Sequence, residues 1–133
     1  MDKATGREVW SYDVKQDGDQ NSFHGEMLLT DQAVLIGTDT QIGHIYSFKK
    51  KTGRVNWKRR VRGSGAPSAI LRSGAQIFTV VDDDELISLK LETGEPVWQF
   101  KSPHSSETPH LLTRAAALWD DLVYFGDQSG WVY

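Results

Sequence analysis

The sequence contains no cysteine among its 133 residues. That absence excludes disulfide bonds, thiolate metal ligands and cysteine nucleophiles within the chain. No stretch approaches the roughly 18 consecutive apolar residues of a transmembrane helix. The first ten residues also lack the apolar core of a signal peptide. The sequence therefore predicts no membrane span, and a secretion signal of an exported parent protein is expected outside this segment.

An excess of positive charge is missing as well. The 15 lysines and arginines are outnumbered by 18 acidic residues, for a net charge of −3, which argues against a domain-wide nucleic-acid surface. The chain is instead 38% hydrophobic and 11% aromatic, with twelve glycines. Glycine together with β-branched and aromatic residues is typical of short strands joined by tight turns. No segment shows helical spacing over three turns, so an all-β fold is predicted.

A Thr-Gly pair followed four residues after the glycine by tryptophan occurs three times. Its tryptophans are 47 and 41 residues apart, close to the roughly 40–50 residues of a β-propeller blade. The turn needs a residue in the left-handed region, so a positive φ is predicted at each glycine. The indoles are predicted to dock one blade against the next. The structural motif consists of Thr5, Gly6, Trp10, Thr52, Gly53, Trp57, Thr93, Gly94 and Trp98.

Four short strands, named A to D in chain order, are predicted in each repeat. A strands are expected at residues 27–29, 68–71 and 110–112, B strands at 33–37, 76–80 and 122–126, and C strands at 44–48, 86–89 and 130–133. Each D strand contains the tryptophan. The prediction is a partial β-propeller of three four-stranded antiparallel repeats. It forms a single segment over residues 1–133, with repeats near 15–60, 61–100 and 101–133 and a further strand within residues 2–14.

The repeat resembles that of the PQQ-like, or quinoprotein alcohol dehydrogenase-like, propeller family. The motif of that family reads approximately Ala-x-Asp-x-x-Thr-Gly-x-x-x-Trp, and Thr, Gly and Trp match in all three copies. Ser47 and Ser88 replace the alanine, and the aspartate position holds Asp2, Lys49 and Lys90. The chain is similar to the propellers of outer-membrane assembly lipoproteins, which implies a periplasmic or otherwise extracytoplasmic location.

The predicted order of strands opens on a D strand and closes on a C strand. Such an arc exposes blade faces and unpaired strand edges, which favours association. One interpretation, favoured by the resemblance, is a fragment of a larger seven- or eight-bladed ring. The other is self-association through the terminal strands, in which the first strand of one copy completes the last blade of another.

One face of a propeller carries both the D-to-A loops and the B-to-C loops, and this face is predicted to bind a partner. The candidate partner-binding residues are Asp17, Asn21, His24, Arg60, Arg62, His104 and Glu107.

Two segments, one containing histidines and one acidic, are candidate metal sites. His104, Glu107 and His110 are residue types that bind zinc, but the flanking prolines predict a loop without enforced ligand geometry. Residues 82–85 are four consecutive acidic residues, which suits calcium, yet a solvated turn is the favoured interpretation. No metal site and no cofactor site is assigned, and Asp120, Asp121 and Asp127 are interpreted as turn residues.

Basic and aromatic residues outside the motif have structural interpretations. Residues 49–51 and 58–62 are basic patches able to meet phosphates, but the second begins on a D strand, where charge discourages edge pairing. Trp119, predicted in an A-to-B turn, and Trp131, predicted on a C strand, are interpreted as packing residues.

The function predicted from these features is a non-catalytic scaffold for protein–protein binding or assembly. No Ser-His-Asp order, phosphate-binding loop or dinucleotide motif occurs. The alternative is part of a quinoprotein dehydrogenase dependent on PQQ and calcium. The resemblance implies that such an enzyme holds its quinone against a disulfide of adjacent cysteines, which this chain does not supply. A glycan-binding or sensor module is a third interpretation.

Overall fold

The computed structural model describes residues 1–17, 22–23, 25–38, 43–61, 66, 68–81, 85–104, 116–127 and 130–133. Within them the chain forms two four-stranded antiparallel sheets and one two-stranded hairpin. The first sheet contains β1 (Leu28–Leu29), β2 (Ala33–Gly37), β3 (His44–Lys49) and β4 (Val55–Arg60), and the second contains β5 (Leu71–Ser73), β6 (Gln76–Val81), β7 (Glu85–Lys90) and β8 (Pro96–Lys101). The hairpin pairs β9 (Ala117–Trp119) with β10 (Leu122–Tyr124). The predicted all-β fold of repeated antiparallel sheets is confirmed.

The two sheets repeat each other in detail. Strands follow one another in chain order across each sheet, as expected when short connections join neighbouring antiparallel strands. The tryptophan of each D strand pairs with a serine of the C strand, Ser47 with Trp57 and Ser88 with Trp98, and a register shift follows directly after the serine in both sheets. The positions at which serine replaces the family's alanine are therefore buried positions opposite the tryptophan.

The A strands lie later in the chain than the sequence predicted. The second A strand is Leu71–Ser73, which shares one residue with the predicted segment, and the third is Ala117–Trp119. The predicted strand at residues 110–112 lies outside the described residues. The reason is that each of these A strands joins its B strand through a two-residue turn, with positive φ at Gly74 and at Asp120. The turn, rather than the apolar run before it, fixes the position of the strand.

Trp119 and the last C strand also differ from the prediction. Trp119 lies in a strand rather than a turn and is 76% exposed, so it does not pack. Residues 130–133 form no regular strand, but they pair with residues 125–127 through the bridge between Gly126 and Val132 and through backbone hydrogen bonds in both directions between Phe125 and Tyr133.

The N-terminal segment packs on the first sheet without pairing with it. Residues 2–7 form a turn, and Val14–Asp17 form a 3-10 turn. The strand predicted within residues 2–14 is absent, because no described strand lies beside it to accept its backbone hydrogen bonds. Trp10 and Tyr12 instead pack on a buried cluster of Val14, Tyr46 and Phe48.

Side chains point alternately to the two faces of each sheet, and both faces are buried in apolar clusters. In β2, Leu35 joins the cluster between the first and second sheets, together with Ile77 and Leu89, whereas Ile36 joins the cluster under the N-terminal segment. In β6, Val80 faces the third repeat, where Phe125 packs against it. Successive residues of a strand point to opposite faces of the sheet. Each sheet therefore contributes side chains to the clusters on both of its sides, and these clusters join the repeats in chain order.

No helix among the described residues is long and apolar enough to cross a membrane.

Trp10 and Trp57 each contact the Thr-Gly turn of the following repeat. The Trp57 indole nitrogen donates a hydrogen bond to the Leu91 carbonyl at 3.0 Å, and a Cβ placed on Gly94 would lie 2.5 Å from the indole. Trp10 repeats the contact, donating to the Lys50 carbonyl at 2.9 Å with its ring over Gly53. The glycines serve two purposes, since they adopt positive φ and leave room for the ring. The predicted positive φ is confirmed at Gly6 (68°), Gly53 (68°) and Gly94 (69°).

We expect Trp57→Ala to lower the free energy of unfolding by about 3–5 kcal/mol, the usual range for a buried aromatic side chain. Trp57 is 9% exposed and lies in the main cluster. Urea titration measures the change, and a loss below about 1 kcal/mol would contradict a role of Trp57 in holding the first two sheets together.

Gly53→Ala should destabilise the protein more than Gly74→Ala. Both glycines have positive φ, but an added Cβ at Gly53 would meet the Trp10 ring at 2.5 Å, whereas nothing lies within 4 Å of one at Gly74. The Gly74 variant therefore measures the backbone strain alone, which is about 1–2 kcal/mol. Equal midpoints in urea for the two variants would show that the indole contact adds nothing.

Candidate protein-binding face

Asp17 fixes a loop of the predicted binding face to the first sheet. Its carboxylate accepts hydrogen bonds from the hydroxyls of Tyr12 and Tyr46, both at 2.9 Å, and forms an ion pair with Lys58 at 2.8 Å. Tyr12 comes from the N-terminal segment, Tyr46 from β3 and Lys58 from β4. The carboxylate therefore ties the N-terminal segment to two strands of the first sheet and is 16% exposed.

The protonation of Asp17 reflects these partners. Burial of the carboxyl acts to raise its pKa, but the hydrogen bonds from Lys58, Tyr12 and Tyr46 outweigh burial and hold the pKa below the usual 3.8. Burial, together with the hydrogen bond to Asp17, raises the pKa of the Tyr12 hydroxyl. Asp17 is thus a charged acceptor inside the face rather than a free anion on its surface.

Asp127 forms a second carboxylate anchor in the third repeat. It is 7% exposed and accepts hydrogen bonds from Ser102 at 3.3 Å and from the Tyr133 hydroxyl at 3.1 Å. Its other oxygen accepts from the backbone N–H of Trp131 at 3.0 Å. The sequence interpretation of Asp127 as a turn residue is therefore incomplete. The side chain also joins the segment after β8 to the last repeat.

The two anchors were not identified from the sequence. Tyr46 is separated from Asp17 by 29 positions, and no linear motif links a carboxylate to a tyrosine so far away in the sequence. The one available signal is that Tyr46 and Tyr133 occupy the same position of the C segment in their repeats. Each donates its hydroxyl to an aspartate.

The surface beside the anchors is polar and aromatic. The His104 ring stacks on Trp131 with ring centroids 4.6 Å apart and planes 6° from parallel. Trp131 is 52% exposed, so it packs on His104 but is only partly covered, and the stacked pair lies at the surface. Arg60 is exposed at the end of β4, opposite His44.

The structure therefore places three of the predicted face residues, Asp17, Arg60 and His104, at loop-side ends of the blades. The remaining candidates, namely Asn21, His24, Arg62, Glu107 and His110, lie outside the described residues, as do residues 82–84 of the acidic run. Lys58 and Arg59 lie on β4, the outer strand of the first sheet, as predicted.

Among the residues that the structure describes, no three His, Asp or Glu side chains come together as metal ligands. The chain has no cysteine to form the disulfide that the resemblance implies for a quinone site.

A family model described as outer membrane protein assembly factor BamB matches residues 1–133. The chain belongs to the PQQ-like β-propeller family. The match spans the complete sequence, including all three Thr-Gly-Trp repeats. No curated protein sequence matches the chain.

Solved structures with the same fold include an assembly factor and two dehydrogenases. BamB from Moraxella catarrhalis is 19% identical with a TM-score of 0.68, and the match covers 90% of this chain and 34% of that one. For the quinohemoprotein alcohol dehydrogenase ADHIIG from Pseudomonas putida HK5 the identity is 13%, the TM-score 0.70 and the coverage 97% and 28%. For a europium-containing methanol dehydrogenase the values are 15%, 0.63, 81% and 22%. The chain therefore spans about a third or less of each of these structures, and the likeness shows the propeller fold.

Asp17→Asn should lower the free energy of unfolding near neutral pH by about 1–2 kcal/mol, because it removes a charged acceptor of three hydrogen bonds. The folded pKa of Asp17 is depressed, so its stabilisation is complete above the unfolded pKa and is lost as the pH falls through the folded pKa. The difference between wild type and variant should therefore shrink below about pH 4.

Asp31→Asn is the matched control, since Asp31 is exposed and its substitution should have little effect on the free energy of unfolding. Urea titrations from pH 3 to pH 7 measure both variants. A difference for Asp17→Asn that stays constant over this range would contradict the role of its charge.

Proposed function

We propose that the chain is a non-catalytic propeller scaffold that binds another protein, and that its three repeats form part of a larger ring. The binding face is the one that carries Asp17, Arg60 and the His104–Trp131 pair. The proposal is supported by membership of a family described by an outer membrane assembly factor. On this basis the partner class is a protein of the cell envelope.

The observation that carries the proposal is the pair of hydrogen-bonded carboxylate anchors, Asp17 and Asp127. Asp17 and Asp127 each hold a loop of one face to the sheets through hydrogen bonds from tyrosine hydroxyls. A loop fixed in this way loses less conformational freedom when it binds, and this favours a preformed binding surface. The exposed side chains beside the anchors are an arginine and an aromatic pair, and arginine and tryptophan are enriched at interaction hot spots.

A charge reversal on this face tests the proposal. The complete chain carrying an affinity tag is cross-linked in an envelope extract, and bound proteins are quantified by mass spectrometry. Arg60→Glu should reduce recovery of a specific partner by about tenfold or more, because interface arginines often contribute more than 1.4 kcal/mol. Arg54→Glu is the matched control, since Arg54 is also exposed but lies at the opposite end of the same hairpin.

Equal recovery of the partner by both variants would overturn the assignment of this face. Titration of the chain with PQQ and calcium gives a second measurement. Saturable binding with a change in the absorption spectrum of the quinone would contradict the scaffold proposal in favour of the dehydrogenase alternative.

A further inference from the structure

An open cavity of about 670 Å³ lies where the turns of the first two sheets meet. Its walls come from the turn between β1 and β2, from the turn between β3 and β4 with the adjoining strand ends, and from Leu91 and Glu92 of the second sheet. The volume lies within the range of roughly 300–1,000 Å³ that is typical of ligand sites. All the lining residues belong to the first two repeats, whose contact through Trp57 and Gly94 is formed within the chain. The cavity is therefore a property of two neighbouring repeats.

A β-bulge brings the side chain of Asn56 to this cavity. Ser47 pairs with Trp57 and Phe48 pairs with Val55, so Asn56 is the extra residue of β4. Its amide nitrogen donates a hydrogen bond to the Ser47 hydroxyl at 3.2 Å, and both residues line the cavity. Bulges change the direction of a side chain and are over-represented beside functional sites.

The second sheet has the same bulge but different side chains around it. There the Ser88 hydroxyl donates to the side chain of Gln76 at 2.8 Å, and the extra residue of the bulge is Val97. In the first sheet, the position that corresponds to Gln76 is occupied by Ala33, whose methyl group cannot accept a hydrogen bond from the serine. The two differences leave a space beside the serine of the first sheet and place an amide group in it.

The Ser47–Asn56 pair keeps hydrogen-bonding capacity for a ligand. Ser47 is 1% exposed and accepts a hydrogen bond from Asn56, and no described residue accepts its hydroxyl proton. The asparagine amide also has a second N–H and a carbonyl oxygen, and neither group bonds to a described residue. Such a pair suits a ligand whose own groups both donate and accept hydrogen bonds, as amides and hydroxyls do.

Charged side chains of both signs surround this pair. Lys49 and Lys51 line the cavity from one turn, whereas Asp31 and Glu92 line it from two other turns. All four are exposed, and among the described residues none of them forms an ion pair. Charges that line one cavity without neutralising each other are complementary to a ligand that carries both signs.

We propose that this cavity binds a small zwitterion with a free carboxylate and a free ammonium group, which is the chemistry of an amino acid or a short peptide. The carboxylate lies near the two lysines and the ammonium group near the two acidic side chains. The Ser47–Asn56 pair forms hydrogen bonds with the groups between them. Because β4 begins at the cavity and ends at Arg60, the site lies at the opposite end of the blade from the candidate protein-binding face. The inference therefore does not depend on the proposed function.

Isothermal titration calorimetry of the complete chain with triglycine near neutral pH tests the proposal. Triglycine should bind saturably. Its N-acetylated and C-terminally amidated forms should each bind at least about tenfold more weakly, because each has lost one of the two charges. Glycine distinguishes the two sources of this chemistry: tighter binding of triglycine assigns a short peptide, whereas equal or tighter binding of glycine assigns a free amino acid.

Ala33→Gln tests the space beside Ser47. It introduces the side chain that the second sheet has at this position, so it should bond to Ser47 as Gln76 bonds to Ser88 and fill part of the cavity. Triglycine binding should weaken by about tenfold or more. Gln76→Ala is the matched control, because it makes the reverse exchange outside the lining of the cavity and should bind triglycine like wild type. Urea unfolding shows whether each variant is folded.

Asn56→Val tests the bulge independently. The second sheet carries valine at the same place, so the strand pairing should be kept while the amide is lost, and triglycine binding should weaken by about fivefold. Three results would each overturn the proposal. They are no saturable binding of triglycine up to about 10 mM, binding of the N-acetylated form as tight as that of triglycine, and equal binding by the Ala33→Gln and Gln76→Ala variants.

Discussion

The contact between a tryptophan ring and the α-carbon of a glycine in the next repeat is the constraint on which the stacking of this protein depends. It requires three features at once: an indole ring that reaches the next repeat, a turn in which one residue adopts a positive φ, and the absence of a Cβ at that residue. Glycine alone meets the second and third conditions without strain. Because Trp10 with Gly53 and Trp57 with Gly94 use the same geometry, consecutive repeats are placed by one rule.

The same joint explains why each sheet is buried on both faces. Once an indole fixes the distance between neighbouring sheets, the alternation of side chains along β2 and β6 supplies apolar residues to the clusters on either side. No single repeat closes a core by itself. Stability is therefore expected to depend on nearest-neighbour contacts between repeats, as in other repeat proteins.

Features that depend on residues close together in the sequence could be predicted, whereas features that depend on residues far apart in the sequence could not. Thr52, Gly53 and Trp57 lie within six positions and recur, so their spacing reveals the blades and the positive φ. The short A strands were misplaced because two-residue turns at Gly74 and Asp120 determine their register more strongly than apolar runs do. The Asp17 and Asp127 anchors could not be predicted, since each joins side chains from different strands only after the repeats have stacked.

The position of those anchors links the fold to the candidate face. Asp17 accepts hydrogen bonds from Tyr12, which belongs to the segment before the first sheet, and from Tyr46 within that sheet. Asp127 similarly binds Ser102, from the end of the second sheet, and Tyr133 in the third repeat. Each carboxylate thus bridges two successive units at the rim where the loops emerge. The shape of the loop face is consequently set by how the repeats stack, and a change in the tryptophan joints would be transmitted to the surface that carries Arg60 and His104.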